Sequence, residues 1–261
     1  MATAPQPTLP LFYNDLMPLN SRDHASWKTR GLETADFLKT AHAIPLTVDE
    51  FIEAQRDLPI VFSAGDDPLP LALMGLNEGV NTYVGDDGKI NDPVYLPAYV
   101  RRYPFMLAKL QPEAEELSLC FDPTSNAIGA HPEGDPLFAD GKATDNTNRI
   151  LEFCESFEQA GQRTKAFLDE LKKFDLLMDG EIAITLNNNP GQPYTYRGFQ
   201  MVNRDKLAEI PADQLEIWHK NGLLTIVYAH LFSLDQMRKI FARQVDQGKG
   251  PDLSATATPA A

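Results

Sequence analysis

The sequence predicts an α+β fold: a mostly antiparallel sheet, one long amphipathic helix and a C-terminal helical segment. Three observations carry that expectation. Short apolar runs bounded by turn residues cluster in two stretches, 59–121 and 181–203. Between them Ile150, Phe153, Phe157, Ala160, Thr164, Phe167, Leu171 and Phe174 recur at spacings of three and four, which puts them on one stripe of a helix. Nowhere does the chain show the regular strand–helix–strand alternation that builds a doubly wound parallel sheet.

The elements follow in chain order. Residues 1–10, with three prolines, and 248–261 bury too little apolar surface to offset chain entropy. Both ends are expected to be disordered, which leaves 11–247 as a single α+β domain. The first helix is expected at Thr47, because Thr47-Val48-Asp49-Glu50 fits a reciprocal capping pattern, with Phe51 and Ile52 facing inward. Pro59–Phe62, Leu69–Leu76 and Asn81–Val84 read as strands of an antiparallel meander, with Asp87-Gly88 as a hairpin turn. A short helix is expected over Pro97–Pro104, since proline suits a first helical turn and forbids continuation.

Strands return over 105–110 and 117–121. The stretch 122–142, rich in Gly, Pro, Asp and Asn, is expected to be a surface loop, long enough to be a candidate functional loop. The striped helix should run for about 25–30 residues from Thr144 or Asp145, either of which can cap it, and should pack on its own chain. Glu181–Asn187 and Tyr194–Asn203 form a hairpin closed by 187–193. A helix from near Pro211 stops at Asn221-Gly222. Leu223–Tyr228 is β-branched and aromatic enough for a strand, with a buried helix as the alternative. Ser233-Leu234-Asp235-Gln236 reads as a second capping box whose helix buries Leu234, Met237, Ile240 and Phe241.

Composition excludes several function classes. The chain carries 37 acidic against 23 basic residues, and a net charge of -14 repels phosphate backbones, so no nucleic-acid partner is expected. Cys120 and Cys154 form neither a metal-binding pair nor a disulfide framework, which fits a reducing compartment. The first residues lack a basic and apolar leader, and the longest apolar stretch, Leu223–Phe232, is too short to cross a bilayer. A cytoplasmic location without membrane insertion is expected.

Few motifs that carry chemistry are present. The glycine turns lack the spacing and the Lys-Ser/Thr partner of a phosphate loop. Asp86–Asp92 lacks the alternating ligands and closing glutamate of a calcium loop. His131-Pro132-Glu133, with His219 or His230 downstream, has the residue types of an iron triad but sits in an irregular loop. No nucleophile elbow is present. No catalytic set, metal or cofactor is expected.

The most distinctive cluster is Tyr95–Phe105. In a short helix Tyr99 and Tyr103 share a face, while Arg101 and Arg102 point elsewhere. Adjacent guanidinium groups can grip a carboxylate or phosphate with forked hydrogen bonds. The competing use is neutralisation of the seven acids between Gln111 and Asp140, a stretch without Lys or Arg. A concave pocket flanked by Arg101, Arg102, Arg197 and His230 would mark a ligand site; a flat apolar patch would mark a partner surface. The candidate ligand- or partner-binding residues are therefore Tyr99, Arg101, Arg102, Tyr103, Arg197 and His230.

Pro97–Phe105 resembles a tract typical of the SapC family. Leu19-Asn20, Tyr194–Phe199 with Asn203–Leu207, and Gly222–Leu234 agree with it in order, so the resemblance spans about 10–245. It implies a soluble accessory or binding protein, and the lack of a coherent catalytic constellation favours a non-enzyme. Such a protein would act beside a bacterial uptake or amino-acid/peptide modification system, as a companion of outer-membrane uptake receptors and flavin-dependent tryptophan halogenases. The partner would be a protein or a small anionic or peptide-like ligand. Two alternatives stand beside this reading: an enzyme or cofactor-binding protein acting on an amino-acid or peptide-like ligand, and a structural surface-layer component. The resemblance brings no catalytic residue set.

Overall fold

The computed structural model describes residues 9–111, 113–114, 116–186 and 189–250. Most of the two ends expected to be disordered, and residues 187 and 188 of the expected hairpin turn, lie outside the described residues. The chain is α+β and divides into two compact units. One takes the described residues up to Thr34 with Tyr99–Gln159; the other takes Ala35–Ala98 with the described residues from Ala160 onward.

The first unit is built on the strands Met17–Pro18, Ser118–Phe121 and Phe105–Ala108, antiparallel in that order. Lys28–Thr29 pairs with both Ile128–Gly129 and Asp135–Pro136. Phe105, Leu107, Phe121, Ile128, Leu137 and Cys154 form its core. Residues 122–142 are therefore more than a surface loop, since Ile128 and Leu137 are buried. Asp122, fully buried, ties the start of this stretch down: its carboxylate accepts from the backbone N–H of Asn14 and Thr124, both at 2.8 Å.

The second unit holds a five-stranded antiparallel sheet in the order Leu177–Asp179, Phe199–Val202, Ile60–Ser63, Pro70–Leu73, Ala43–Pro45. A separate hairpin pairs Ile182–Leu186 with Asn189–Tyr196. Gly198, at φ +89°, separates that hairpin from Phe199–Val202, so the expected single strand 194–203 becomes two. The helices are α1 (Phe51–Ala54), α2 (Ala98–Arg101), α3 (Asp145–Lys173), α4 (Arg204–Ala208), α5 (Ala212–Lys220), α6 (Leu223–Ser233) and α7 (Gln236–Asp246). Helix α3 starts where expected and, at 29 residues, has a length within the expected range of about 25–30. In its second half Ala160, Thr164, Phe167 and Leu171 are buried, as the stripe requires.

Four local expectations are corrected. Asn81–Val84 is not a strand, because the Asn81 side chain takes over the hydrogen bonding there. Its amide donates to Leu38 O and Ala41 O, and its oxygen accepts from Tyr83 N and Val84 N. Leu223–Tyr228 follows the helical alternative: Gly222, at φ +82°, ends α5 and lets α6 begin at once. Ser233 caps nothing; its hydroxyl donates to His230 O at 2.6 Å and accepts from Ile60 N at 2.8 Å. Ile52 is 38% exposed, whereas Phe51 is enclosed.

Candidate functional site

The Tyr–Arg tract begins where Glu50 holds Tyr95 and Ala98. Its buried carboxylate accepts from the Ala98 N–H at 2.5 Å and the Tyr95 hydroxyl at 3.0 Å. The Thr47 N–H and hydroxyl complete the set at 3.0 and 2.8 Å. Four donors on one carboxylate offset the desolvation of its charge. The Thr47/Glu50 pattern was legible as a helix start, but its second use as the anchor of Tyr95 and Ala98 was not.

In the first unit, Arg102 is 7% exposed and lies between two rings, 4.5 Å from the centroid of Tyr99 and 4.2 Å from that of Phe157. Its Nη1 stands 3.7 Å from Glu158 Oε1, and its Nε is buried without a hydrogen-bond partner among the described residues. Among the described residues, the acid that faces Arg102 is thus one of α3. Arg101 is exposed, with its guanidinium 5.3 Å over Phe153. The Tyr99 hydroxyl donates to Leu11 O, and Tyr103 packs edge-on against Tyr13 at 5.4 Å. Tyr13 donates to Phe105 O at 2.7 Å, and burial pushes its phenol well above the ordinary range. These rings and the Arg102 guanidinium form a packed cation–π cluster, in which the fork of Arg102 is turned inward.

Arg197 and His230 belong to the second unit. His230 is wholly enclosed. Val202 N–H donates to its Nε2 at 3.1 Å, so the proton sits on Nδ1, which donates to Ile60 O at 2.8 Å. Burial, with a further contribution from Arg204, lowers its pKa to about 4, partly opposed by the Ile60 hydrogen bond. His230 joins two strands of the sheet to α6. Arg197 is exposed, with Nε and Nη2 both 2.7 Å from Glu181 Oε2. It lines a cavity of about 180 Å³ together with Val61, Leu71, Tyr196 and Phe199.

A different feature of the second unit has the character of a binding surface. Helices α4, α5 and α6 enclose a groove of about 320 Å³, lined by Leu207, Ala208, Leu215, Leu224, Tyr228, Leu231 and Phe232 with Arg204. Phe232 is 62% and Tyr228 43% exposed, and their rings stack at 6.0 Å and 23°. The cause lies in the sequence of α6, Leu223-Leu-Thr-Ile-Val-Tyr-Ala-His-Leu-Phe-Ser233. An apolar helix of this kind is normally covered on all sides. Here Val227, Ala229, His230 and Leu231 face the chain's own core, while Tyr228 and Phe232, one turn apart, face outward. Arg204 makes no ion pair with any described residue. Sequence reasoning passed over Arg204, Tyr228 and Phe232; the signal available was apolar residues on every side of α6.

Burial raises both thiols, Cys154 to about 11, which keeps them protonated and poorly nucleophilic. Among the described residues, no three His, Cys, Asp or Glu side chains converge as metal ligands, and no helix is long and apolar enough to cross a membrane. The SapC family model matches residues 19–240. No curated protein and no solved structure matches the chain.

Proposed function

We propose that this chain, which belongs to the SapC family, is an accessory binding protein of the bacterial cytoplasm that docks an apolar segment of a partner protein in the α4–α6 groove. The observation that carries this reading is the Tyr228–Phe232 stack, exposed at the edge of an apolar groove. Exposed aromatic pairs beside a concave apolar surface are the usual anchors of protein recognition. The charge pattern narrows the occupant. In a chain of net charge -14, the one charged residue of the groove is Arg204, and no described carboxylate pairs with it. The fitting occupant is an amphipathic helix with an acidic residue beside its apolar stripe: Leu or Phe anchors fill the groove and the carboxylate meets Arg204. The family resemblance supports a setting beside an uptake or amino-acid/peptide modification system.

The test uses fluorescent amphipathic peptides of about 15 residues, long enough to hold a helix, with Leu at helical spacing and either Glu or Lys flanking the stripe. The Glu peptide should bind, and the Lys peptide should bind about tenfold more weakly. Phe232→Ser should remove binding of both, and Arg204→Gln should erase the preference for Glu. Absence of binding by the Glu peptide, or binding that survives Phe232→Ser, would overturn the reading.

A further inference from the structure

The cavity that Arg197 borders lies over the sheet of the second unit and shares no residue with the groove. Its walls are Val61, Leu71, Leu73 and Phe199, side chains of neighbouring sheet strands. Among the described residues, Arg197 is the only lining residue with a permanent charge, and no Asp or Glu lines the cavity. That is notable in a chain with 37 acids and 23 bases. His42, Ser63 and Tyr196 add polar edges. The Tyr196 hydroxyl is buried with no hydrogen-bond partner among the described residues, and burial raises its pKa to about 12.

We infer that this cavity is a binding site for a small carboxylic acid with an apolar body, its carboxylate held by Arg197. Size sets the scale: about 180 Å³ has room for roughly six water-sized groups. A branched short-chain acid or the side chain and carboxylate of an amino acid fits, whereas a nucleotide does not. The walls supply apolar contact, and among the described lining residues Arg197 is the one that can hold an anion, its partner Glu181 standing outside the lining. Arg197 already holds Glu181, but through a single oxygen, Oε2. A guanidinium has five N–H donors, so the pair leaves donors for an incoming carboxylate. Because Arg197 and Glu181 are both exposed, their pairing is weak and is displaced at little cost. Glu181 then acts as a competitor for the ligand's place.

The experiment is an NMR titration of the full chain, labelled with ¹⁵N, with isocaproate and with its neutral isostere isocaproamide. Isocaproate should give saturable shifts confined to the residues around the cavity, and isocaproamide should bind about tenfold more weakly. Arg197→Gln should weaken isocaproate by about tenfold and leave isocaproamide unchanged. Glu181→Gln should tighten isocaproate severalfold by removing the competitor. Ala43→Leu, which fills the cavity from the edge strand, should abolish binding with an otherwise folded spectrum. Equal binding of acid and amide, an unchanged affinity in Arg197→Gln, or no saturable shift with isocaproate would each overturn the assignment. Peptide binding in the groove is a separate measurement on separate residues, so one result does not decide the other.

Discussion

The backbone N–H of Val202 donates to Nε2 of His230 at 3.1 Å, which fixes the neutral imidazole as the form the fold accepts. A protonated ring would lose that acceptor and bring a charge into an enclosed site. With the pKa lowered to about 4 in the fold and an ordinary value near 6.5 in the unfolded chain, the unfolded state takes up the proton first as the pH falls. The contribution is therefore fully present above pH about 6.5 and is lost as the pH falls through about 4. Denaturant titrations of the parent and of His230→Asn should show their stability difference shrinking by roughly 3 kcal/mol between neutral pH and pH below about 4. A difference independent of pH would mean that the ring is not held neutral.

Arg101 and Arg102 should separate under the same conservative change. Lysine keeps the charge but cannot lay a flat guanidinium between two rings. Arg102→Lys should cost about 1–3 kcal/mol, from lost stacking on Tyr99 and Phe157. Exposed Arg101→Lys should cost less than Arg102→Lys. Urea denaturation measures both, and equal effects would contradict the placement of Arg102 as a packed residue.

Two phenylalanines of the α3 stripe should differ in the same way. Phe167 is buried, with Phe51 edge-on at 5.9 Å and Phe62 stacked at 6.4 Å. Phe167→Ala should cost about 3–5 kcal/mol. Phe157 is half-buried, and its alanine variant should cost less, with a coupling to Arg102 of about 0.5–2 kcal/mol in a double-mutant cycle. A loss below about 1 kcal/mol for Phe167→Ala would show that the stripe does not pack.

The sequence was most legible where one physical signal dominated. The spacing from Ile150 to Phe174 called for a helix of about 25–30 residues, and 29 are found; the runs at 59–62 and 69–76 called for antiparallel strands, found at 60–63 and 70–73. It was least legible where a side chain competed with the backbone. Asn81 dissolves an expected strand by supplying its own amide to the local carbonyls, and Ser233 turns its hydroxyl to the sheet instead of to the start of α7. The Tyr99–Tyr103 tract stood out by composition, yet composition could not tell a presented arginine from a stacked one. Only the position of Phe157, 55 residues from Arg102 along the chain, decides that Arg102 is stacked. The outward face of α6 was missed for the opposite reason: an apolar run reads as core until its Phe232 and Tyr228 are seen to lack cover.

The groove is tested most directly by a photo-crosslinking residue in place of Phe232, used in the native cell at native expression, with the same residue in place of Ile52 as the exposed control. Mass spectrometry of the adduct identifies the peptide that sits on the groove. The account predicts one dominant adduct at position 232 and none of that mass at position 52, on a foreign peptide with apolar residues at helical spacing and an acidic residue beside them. It also predicts that Arg204→Gln diminishes the adduct. An adduct on a second copy of this chain, the same adducts at both positions, or no adduct at position 232 would contradict it.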